Sequence, residues 1–194
     1  MKRIMNTATG LTASEQNNVV DIETSSFSRP VNLMLQVPRK ANLKLHTVND
    51  GDIKVERVQG DIEAEDVNGS ITLTDISGSA VVNATNGDIV VTFAEVGPGK
   101  PMSFSSLNGK MDVTFPPSLK ANLVMGTGNG DIFSDFDVQL QPNATKPVVE
   151  DTRAKGGKYK IKLDRAVYGT INGGGPEIQF KGFNGDIYIR KSGK

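Results

Sequence analysis

An acidic residue directly follows a glycine at several places in the chain, and carboxylates that recur at a fixed spacing are candidate calcium ligands. These residues are Asp52, Asp61, Asp88, Asp131 and Asp186. A calcium site needs six to eight converging oxygens, and calcium-binding nine-residue repeats carry a fuller Gly-Gly-x-Gly-x-Asp pattern. Here Ser70, Ser79 and Lys110 interrupt the column of acids. The pattern therefore favours turn aspartates that bind local backbone amides, and it predicts no metal site.

An asparagine precedes the glycine in a second column, which could bind a ligand along its length. Its members are Asn68, Asn86, Asn108, Asn129 and Asn184. Asparagine is also a favoured turn residue, because its short amide bonds to nearby main-chain groups. We expect turn chemistry here, in which the side chains bond to one another or to the main chain.

Catalytic groups are sparse. His46 is the single histidine, and no serine, cysteine or acidic motif accompanies it. An enzyme acting on polysaccharides, the main catalytic alternative, needs acids and bases clustered in one groove. The charged residues Lys54, Glu56, Glu63 and Glu65 are spread over two units of the repeat and do not converge. The sequence therefore predicts a protein that is not an enzyme, with no catalytic residue and no cofactor.

The elements that carry these columns are units of nine residues, each opened by a glycine. Apolar residues occupy the second and fourth positions after the glycine, as at Ile71 and Leu73, and mostly polar residues occupy the third and fifth, as at Thr72 and Thr74. This alternation is typical of a short strand with one buried face. The glycines are predicted to be corners with positive φ. The predicted corners are Gly51, Gly60, Gly69, Gly78 and Gly87, with Gly109, Gly130 and Gly185 at longer spacing.

The fold class follows from the phase of the units. An antiparallel meander is an alternative, because Asn-Gly is a strong hairpin signal. However, all five regular units keep the same phase relative to the glycine, which favours identical strands stacked in parallel. Asn or Asp precedes Gly51, Gly69 and Gly87, whereas Gln or Ser precedes Gly60 and Gly78, so the full period is eighteen residues. The sequence predicts an all-β, single-stranded parallel β-solenoid (β-helix), with about 18 residues per coil in the regular section and longer coils towards the C-terminus.

The chain is expected to form a single domain over 1–194. Residues 1–17 are polar and without pattern, which predicts a loose N-terminal segment. The alternation from Val31 to Val37 predicts a strand. Residues 141–157 break the pattern and predict a long loop, and residues 158–191 are expected to be closing strands that end the coil and cap it.

The charge and composition of the chain limit the classes of partner that we expect. The 194 residues carry a formal net charge of zero, which argues against nucleic acid as the main partner, and they contain no cysteine. No apolar run approaches the ~20 residues that a membrane-spanning helix needs, so we expect no membrane insertion of this chain. The start of the sequence does not resemble a secretory signal, which leaves a cytosolic protein or a removed leader as alternatives.

The repeated phrase Asn-Gly-Asp-Ile and the ending from Ile171 to Pro176, which precedes the last Asn-Gly-Asp-Ile at 184–187, resemble a large bacterial family of adhesin-type envelope domains of unknown function. The resemblance covers residues 30–191. It implies a β-solenoid at or outside the cell envelope. The family implies no catalytic residues.

A non-catalytic surface or envelope binding module is therefore the expected function, with a glycan or a surface protein as partner and a monomeric or weakly self-associating state. One outward strip is flat and weakly charged, and such a surface is easily desolvated against a partner. The candidate binding residues on it are Thr72, Thr74, Val90, Thr92 and Thr114. The alternatives are a structural protein that assembles end to end through its terminal strands and, third, a polysaccharide-active enzyme on a β-helix.

Overall fold

The computed structural model describes residues 10–24, 31–49, 51–141, 148–151, 159–162 and 166–193. The chain divides into two compact units, Met1–Val37 and Pro38–Lys194, which are described separately.

The first unit contains one antiparallel hairpin. Strands β1 (Leu11–Gln16) and β2 (Val19–Thr24) are joined by Asn17 and Asn18, which have φ of 55° and 62°. Two consecutive positive φ values are the signature of the tight hairpin turn that asparagine favours. β1 therefore lies within the segment that the sequence predicts to be loose. The predicted strand from Val31 to Val37 is wrong, because these residues form no strand. The alternation of apolar and polar residues provides one apolar face, but a β-strand also needs a neighbouring strand with which its backbone can form hydrogen bonds.

The second unit holds the remaining strands, most of which alternate buried and exposed residues as the sequence predicts. They are β3 (Leu43–Thr47), β4 (Ile53–Glu56), β5 (Gln59–Asn68), β6 (Ile71–Asn86), β7 (Ile89–Val96), β8 (Met102–Asn108), β9 (Met111–Phe115), β10 (Ala121–Gly126), β11 (Ile132–Ser134), β12 (Gln139–Leu140), β13 (Val148–Asp151), β14 (Tyr159–Lys162), β15 (Val167–Ile171), β16 (Glu177–Asn184) and β17 (Ile187–Lys191).

All but β13 and β14 join one sheet of 13 strands, whose main path runs β11-β17-β9-β7-β6-β8-β16-β10-β15-β12. Pairs in its regular part lie eighteen residues apart, as in Ile53↔Ile71↔Ile89 and Ile62↔Ala80. The first part of the long strand β6 pairs with β4 and β7, and its second part pairs with β5 and β8. Buried residues from both of these stretches of the sheet belong to one apolar cluster. The sheet therefore curls around a single core.

The all-β class is confirmed, but the regular parallel solenoid is wrong. The sheet is mixed: β15 pairs antiparallel with both β10 and β12. Its spatial order also departs from chain order, because β16 lies between β8 and β10, and β17 lies between β9 and β11. The sequence predicts that the strands of residues 158–191 end and cap the coil. In the structure β16 and β17 lie inside the sheet, β15 lies next to its end strand β12, and β14 belongs to a separate two-stranded sheet.

A tight turn explains the antiparallel strand. Between β15 and β16 the chain passes through Asn172, Gly173 and Gly174, whose φ values are 50°, 83° and 86°. The amide of Gly174 donates to the carbonyl of Ile171 (3.1 Å) and closes the turn. The turn reverses the chain, so two strands joined by it must run in opposite directions. With β16 parallel to β10, β15 is necessarily antiparallel to it.

Phenylalanine packing fixes the inserted strand β16. The ring of Phe180 stacks on that of Phe104 in β8, with centroids 5.2 Å apart, and Phe93 stacks on Phe115 at 5.1 Å. All four rings are fully buried. Buried aromatic pairs of this kind contribute beyond the area they remove from water, so β16 is anchored by the core as well as by backbone pairing.

The predicted long loop lies partly outside the described residues. Within it, β13 pairs antiparallel with β14. Among the described residues, no helix has the length and apolarity to cross a bilayer.

Candidate binding face and asparagine ladder

The predicted corner glycines are of two kinds. Gly60 and Gly78 lie inside β5 and β6 and face each other in the parallel ladder, and Gly78 has a φ of 124°. The glycines that follow Asn or Asp lie between strands. At Gly69 and Gly87, however, φ is not positive, so the predicted reason for glycine is wrong there. A Cβ added to Gly69 would lie 2.5 Å from the carbonyl oxygen of Gly51. Close approach of stacked backbones requires glycine at this position.

Beside these glycines the asparagine side chains form a continuous ladder. Asn86 Nδ2 donates to Asn68 Oδ1 (2.9 Å), and Asn108 Nδ2 donates to Asn86 Oδ1 (2.8 Å). Asn184 continues the ladder onto Asn108, and Asn129 continues it onto Asn184, both at 2.8 Å. The expectation that these side chains bond to one another is confirmed. The ladder follows the spatial order of the strands, in which the unit of Asn184 precedes that of Asn129.

Of the aspartates after the glycines, Asp52, Asp88 and Asp186 bind backbone amides, as expected, but not local ones. Asp61 instead accepts from the hydroxyl of Ser79 and from Lys100. Asp52 Oδ1 accepts from the amide of Ser70 (3.0 Å), and Asp88 Oδ1 accepts from the amide of Lys110 (3.0 Å). Each of the amide-bound carboxylates therefore caps the corner of the next strand in the stack. Lys110 Nζ also lies 3.8 Å from Asp88 Oδ2. Over the part of the chain that the structure describes, no group of three or more acids and histidines is placed to hold a metal ion.

The five predicted binding residues share one outward face, and all are partly exposed. Thr72 is in register with Val90, and Thr92 with Thr114. Thr74 departs from the column, because the β6–β7 register shifts between Leu73 and Ile76. The structure thus brings these side chains onto three neighbouring strands, β6, β7 and β9. We call this surface the threonine face.

The threonine face continues onto β17 and β11, where it carries residues that the sequence analysis missed. Tyr188 is in register with Asp112 on one side and with Phe133 on the other. The Tyr188 and Phe133 rings stack with centroids 5.0 Å apart. Arg190 binds Asp112 through two hydrogen bonds, Nε to Oδ1 (2.6 Å) and Nη2 to Oδ2 (3.0 Å), and lies 5.0 Å from the centre of the Tyr188 ring. The pKa of Arg190 is raised by its hydrogen bonds to Asp112.

The sequence does contain a sign of these residues. Tyr188 and Arg190 occupy the third and fifth positions after Gly185, and side chains at these positions of the repeat point outward. Chain order hid it, because seventy-six residues separate Asn184 from its neighbour Asn108.

A comparison with protein-family models identifies the family of this chain. The model of the family described as Toastrack DUF4097 matches residues 40–172, which is well over half of the chain. The chain belongs to the Toastrack DUF4097 family. Neither the comparison with curated proteins nor the comparison with solved structures finds a match. Strand β17, which carries Tyr188 and Arg190 of the threonine face in this Toastrack chain, lies beyond the matched residues, as does β16.

The opposite outward surface of the Toastrack sheet is more charged at one end. Lys44 Nζ lies 3.0 Å from Glu63 Oε1, and His46 Nδ1 lies 3.5 Å from Glu65 Oε2. His46 therefore belongs to an exposed cross-strand pair. Further along the same surface, neutral side chains are in register across β6 and β8, as in the pair Val81↔Ser103.

One buried acid was also missed. Asp66 is only 2% exposed, and burial raises the pKa of its carboxyl. Its Oδ1 accepts from the amide of Asn68 (3.0 Å), whereas its buried Oδ2 has no partner among the described residues. The Thr47 hydroxyl donates to the carbonyl of Gly51 (3.2 Å). Asp66 lies beside Gly69, with Oδ2 2.7 Å from the position of an added Cβ, so it supports the corner.

Proposed function

We propose that this Toastrack chain is a non-catalytic binding module of the bacterial cell envelope, and that it binds its partner through the threonine face. The envelope location rests on the resemblance of its repeat and its ending to adhesin-type envelope domains. The single observation that carries the binding proposal is the neutral centre of this face, where Thr72, Val90, Thr92 and Thr114 lie on three adjacent strands.

The physical argument concerns desolvation. A binding surface must lose water, and burying an unpaired charge costs far more than burying a methyl or a hydroxyl that finds a partner. At one border of the neutral centre the charge is already neutralised, because Asp112 is held by Arg190 through two hydrogen bonds. The exposed Phe133 ring adds apolar area at the same edge. At the other border the exposed residues Lys54 and Glu56 are in register with Thr72 and Thr74. A partner can therefore cover the neutral centre and its β17 edge without stranding a charge, while Lys54 and Glu56 stay hydrated at the β4 edge.

End-to-end assembly, the structural alternative, receives less support. Continuous stacking of copies needs parallel strand edges at both ends of the sheet. At one end the path runs through β15 and β12, and β15 is antiparallel to its neighbours. Such an edge breaks the parallel pattern, in keeping with the ways proteins protect exposed strands. Among the described corner acids, Asp52, Asp88 and Asp186 are engaged with backbone amides and Asp61 with Ser79 and Lys100, which gives the catalytic alternative little support there.

The test compares two triple variants of equal charge. In the first, Thr74→Lys, Val90→Lys and Thr92→Lys place three ammonium groups on the threonine face. The control carries Val81→Lys, Ser103→Lys and Ser105→Lys on the opposite surface, where these residues are also outward and in register with their neighbours. Each variant changes one valine and two hydroxyl residues, so non-specific attraction to an anionic envelope rises equally in both.

Binding of each folded protein to whole bacterial cells and to isolated cell walls would be measured by sedimentation. We expect at least a tenfold loss for the threonine-face variant and little change for the control. Equal binding by the parent and both variants would remove this face from consideration.

A further inference from the structure

A ridge of exposed amides and apolar side chains runs along the asparagine corner, beside the threonine face. Its amides are Asn86, Asn108 and Asn184, and its apolar members are Leu107 and Phe183, which directly precede two of them. Leu107 is 47% exposed and Phe183 is 53% exposed. We call these five residues the asparagine ridge. Exposed large apolar side chains that adjoin ordered polar groups are a mark of an interaction site.

The amides of the ridge keep unused hydrogen-bonding capacity. A carboxamide has two N–H donors and an oxygen with two lone pairs. In Asn86 and Asn108, the ladder uses one donor and one lone pair of each. The structure gives the second donor and the second lone pair no protein partner among the described residues. Because neighbouring strands lie about 4.8 Å apart, the ridge presents a donor and an acceptor at each such step.

The apolar part of the ridge is held in place by the backbone beside it. A Cβ added to Gly128 would lie 3.0 Å from Cδ2 of Phe183, so the ring packs directly over this glycine. Thr127 fixes the same segment, because its hydroxyl donates to the carbonyl of Gly185 (3.1 Å). The ring is therefore positioned at the corner without being buried in the core.

We propose that the asparagine ridge binds a glycan chain of uncharged N-acetylated sugars, laid along the stacking direction of the strands. This inference rests on the proposed binding function and adds to it a second contact surface, beside the threonine face, with a stated partner class. An acetamido group offers the N–H and the C=O that match the spare acceptor and donor of each asparagine. The C–H face of a sugar ring can pack on Phe183 and Leu107, which lie on neighbouring strands.

Two observations favour this partner over others. The carboxylates of Asp88 and Asp186 border the ridge, and Lys110 offsets only that of Asp88, so the border keeps a negative charge that would repel an acidic polymer. An extended peptide also carries amides, but those that point the same way recur at about 6.8 Å, which does not match strands spaced at about 4.8 Å. An acetamido glycan is uncharged. Because successive rings of a chain such as chitohexaose are turned over, the acetamido groups on one side of the chain face every second asparagine of the ridge.

The experiment is an NMR titration of the full chain with chitohexaose, an N-acetylated glycan, and with cellohexaose, which has the same linkage without acetamido groups. We expect chitohexaose to shift the side-chain amide resonances of the ridge asparagines, and cellohexaose to bind at least tenfold more weakly. The double variant Phe183→Ala and Leu107→Ser should weaken chitohexaose binding at least tenfold. Leu140→Ser, which removes another exposed apolar side chain, is the matched control and should leave it unchanged.

The outcomes separate this inference from the proposed function. Binding of the parent to cell walls without any response to chitohexaose would overturn the glycan ridge and leave the binding module standing. Equal affinity for the two sugars would overturn the acetamido recognition. Chitohexaose binding that the ridge variant does not weaken would overturn the site. A stronger response to an extended acetylated peptide than to chitohexaose would also overturn the proposal, in favour of a protein partner.

Discussion

Gly87 stacks on Gly69 so closely that a Cβ on Gly87 would overlap the carbonyl oxygen of Gly69. Gly109 stacks on Gly87 in the same way, and Gly185 on Gly109. The corner of each strand is therefore packed against the corner of the next. This contact, together with the asparagine ladder beside it, sets the stacking of the strands that carry the proposed binding surfaces.

Replacing glycine by alanine at one tightly packed corner and at one open corner tests this packing. In Gly69→Ala the new Cβ meets the Gly51 carbonyl oxygen at 2.5 Å and must displace backbone, so we expect a loss of about 1–3 kcal/mol in the free energy of unfolding. Gly51→Ala is the control, because its nearest contact would be 3.6 Å and φ is not restrictive there. We expect this variant to lie within about 1 kcal/mol of the parent. Urea unfolding measures both, and coinciding midpoints would contradict close stacking.

The asparagine ladder should contribute measurably to stability. Asn108→Ala removes the bonds from Asn108 to Asn86 and from Asn184 to Asn108. At about 0.5–1.5 kcal/mol for each bond, we expect a total loss of about 1–3 kcal/mol. Asn83→Ala is the matched control, because Asn83 makes one long side-chain bond of 3.4 Å to Glu65. A loss no larger at Asn108 than at Asn83 would show that the ladder adds nothing.

Asp66 should make stability depend on pH in a definite direction. Burial raises the folded-state pKa of Asp66 above its unfolded value of about 3.9. The folded state then holds the proton more tightly, so this group's contribution falls as pH rises through the folded pKa, and it is most favourable near or below pH 4.

Asp66→Asn removes that titration. Relative to the parent, the variant should gain stability as pH is raised from 4 to 7, as measured by urea unfolding at several pH values. Asp75→Asn, at an exposed acid of the bulge in β6, serves as the control and should show no such trend. A difference between Asp66→Asn and the parent that stays constant with pH would rule out the buried-acid interpretation.

The closing strands should be indispensable for folding, because they lie inside the sheet. Truncation after Asn172 removes β16 and β17, which leaves β8, β9 and β10 without a neighbour on one side and β11 without its paired strand. We expect the shortened chain to lose its cooperative unfolding transition in circular dichroism.

A point variant gives the same test with less disruption. Phe180→Ala removes a fully buried ring that stacks on Phe104, and we expect a loss of about 3–5 kcal/mol. Phe133→Ala, at an exposed ring, should cost far less. Retention of a cooperative fold after truncation would mean that these strands are a dispensable cap.

Calcium should not stabilise the chain. Asp52, Asp88 and Asp186 already accept from backbone amides, and Lys110 lies in the same column. We expect the melting temperature to be the same with millimolar calcium and with a chelator. A rise of several degrees with calcium, reversed by the chelator, would contradict this.

The sequence by itself determined the local features of this protein. Alternation after each glycine identified the buried residues, for example Ile71 and Leu73, because the side chains of a strand point to opposite faces in turn. The eighteen-residue spacing gave the correct register for Ile53, Ile71 and Ile89. It also placed the asparagines of the regular section one above another, since constant spacing along the chain becomes constant position in a stack.

Only the tertiary structure decided which strands become neighbours once the spacing changes. Nothing local indicates that Phe180 stacks on Phe104, or that Asn184 bonds to Asn108 across seventy-six residues. Pairing between distant strands depends on which core contacts and chain reversals are mutually compatible, as at the turn of Gly173 and Gly174. That insertion put Tyr188 and Arg190 onto the threonine face and Phe183 beside Leu107. Strand periodicity is a property of a few consecutive residues, whereas the choice of neighbour depends on the packing of the whole sheet.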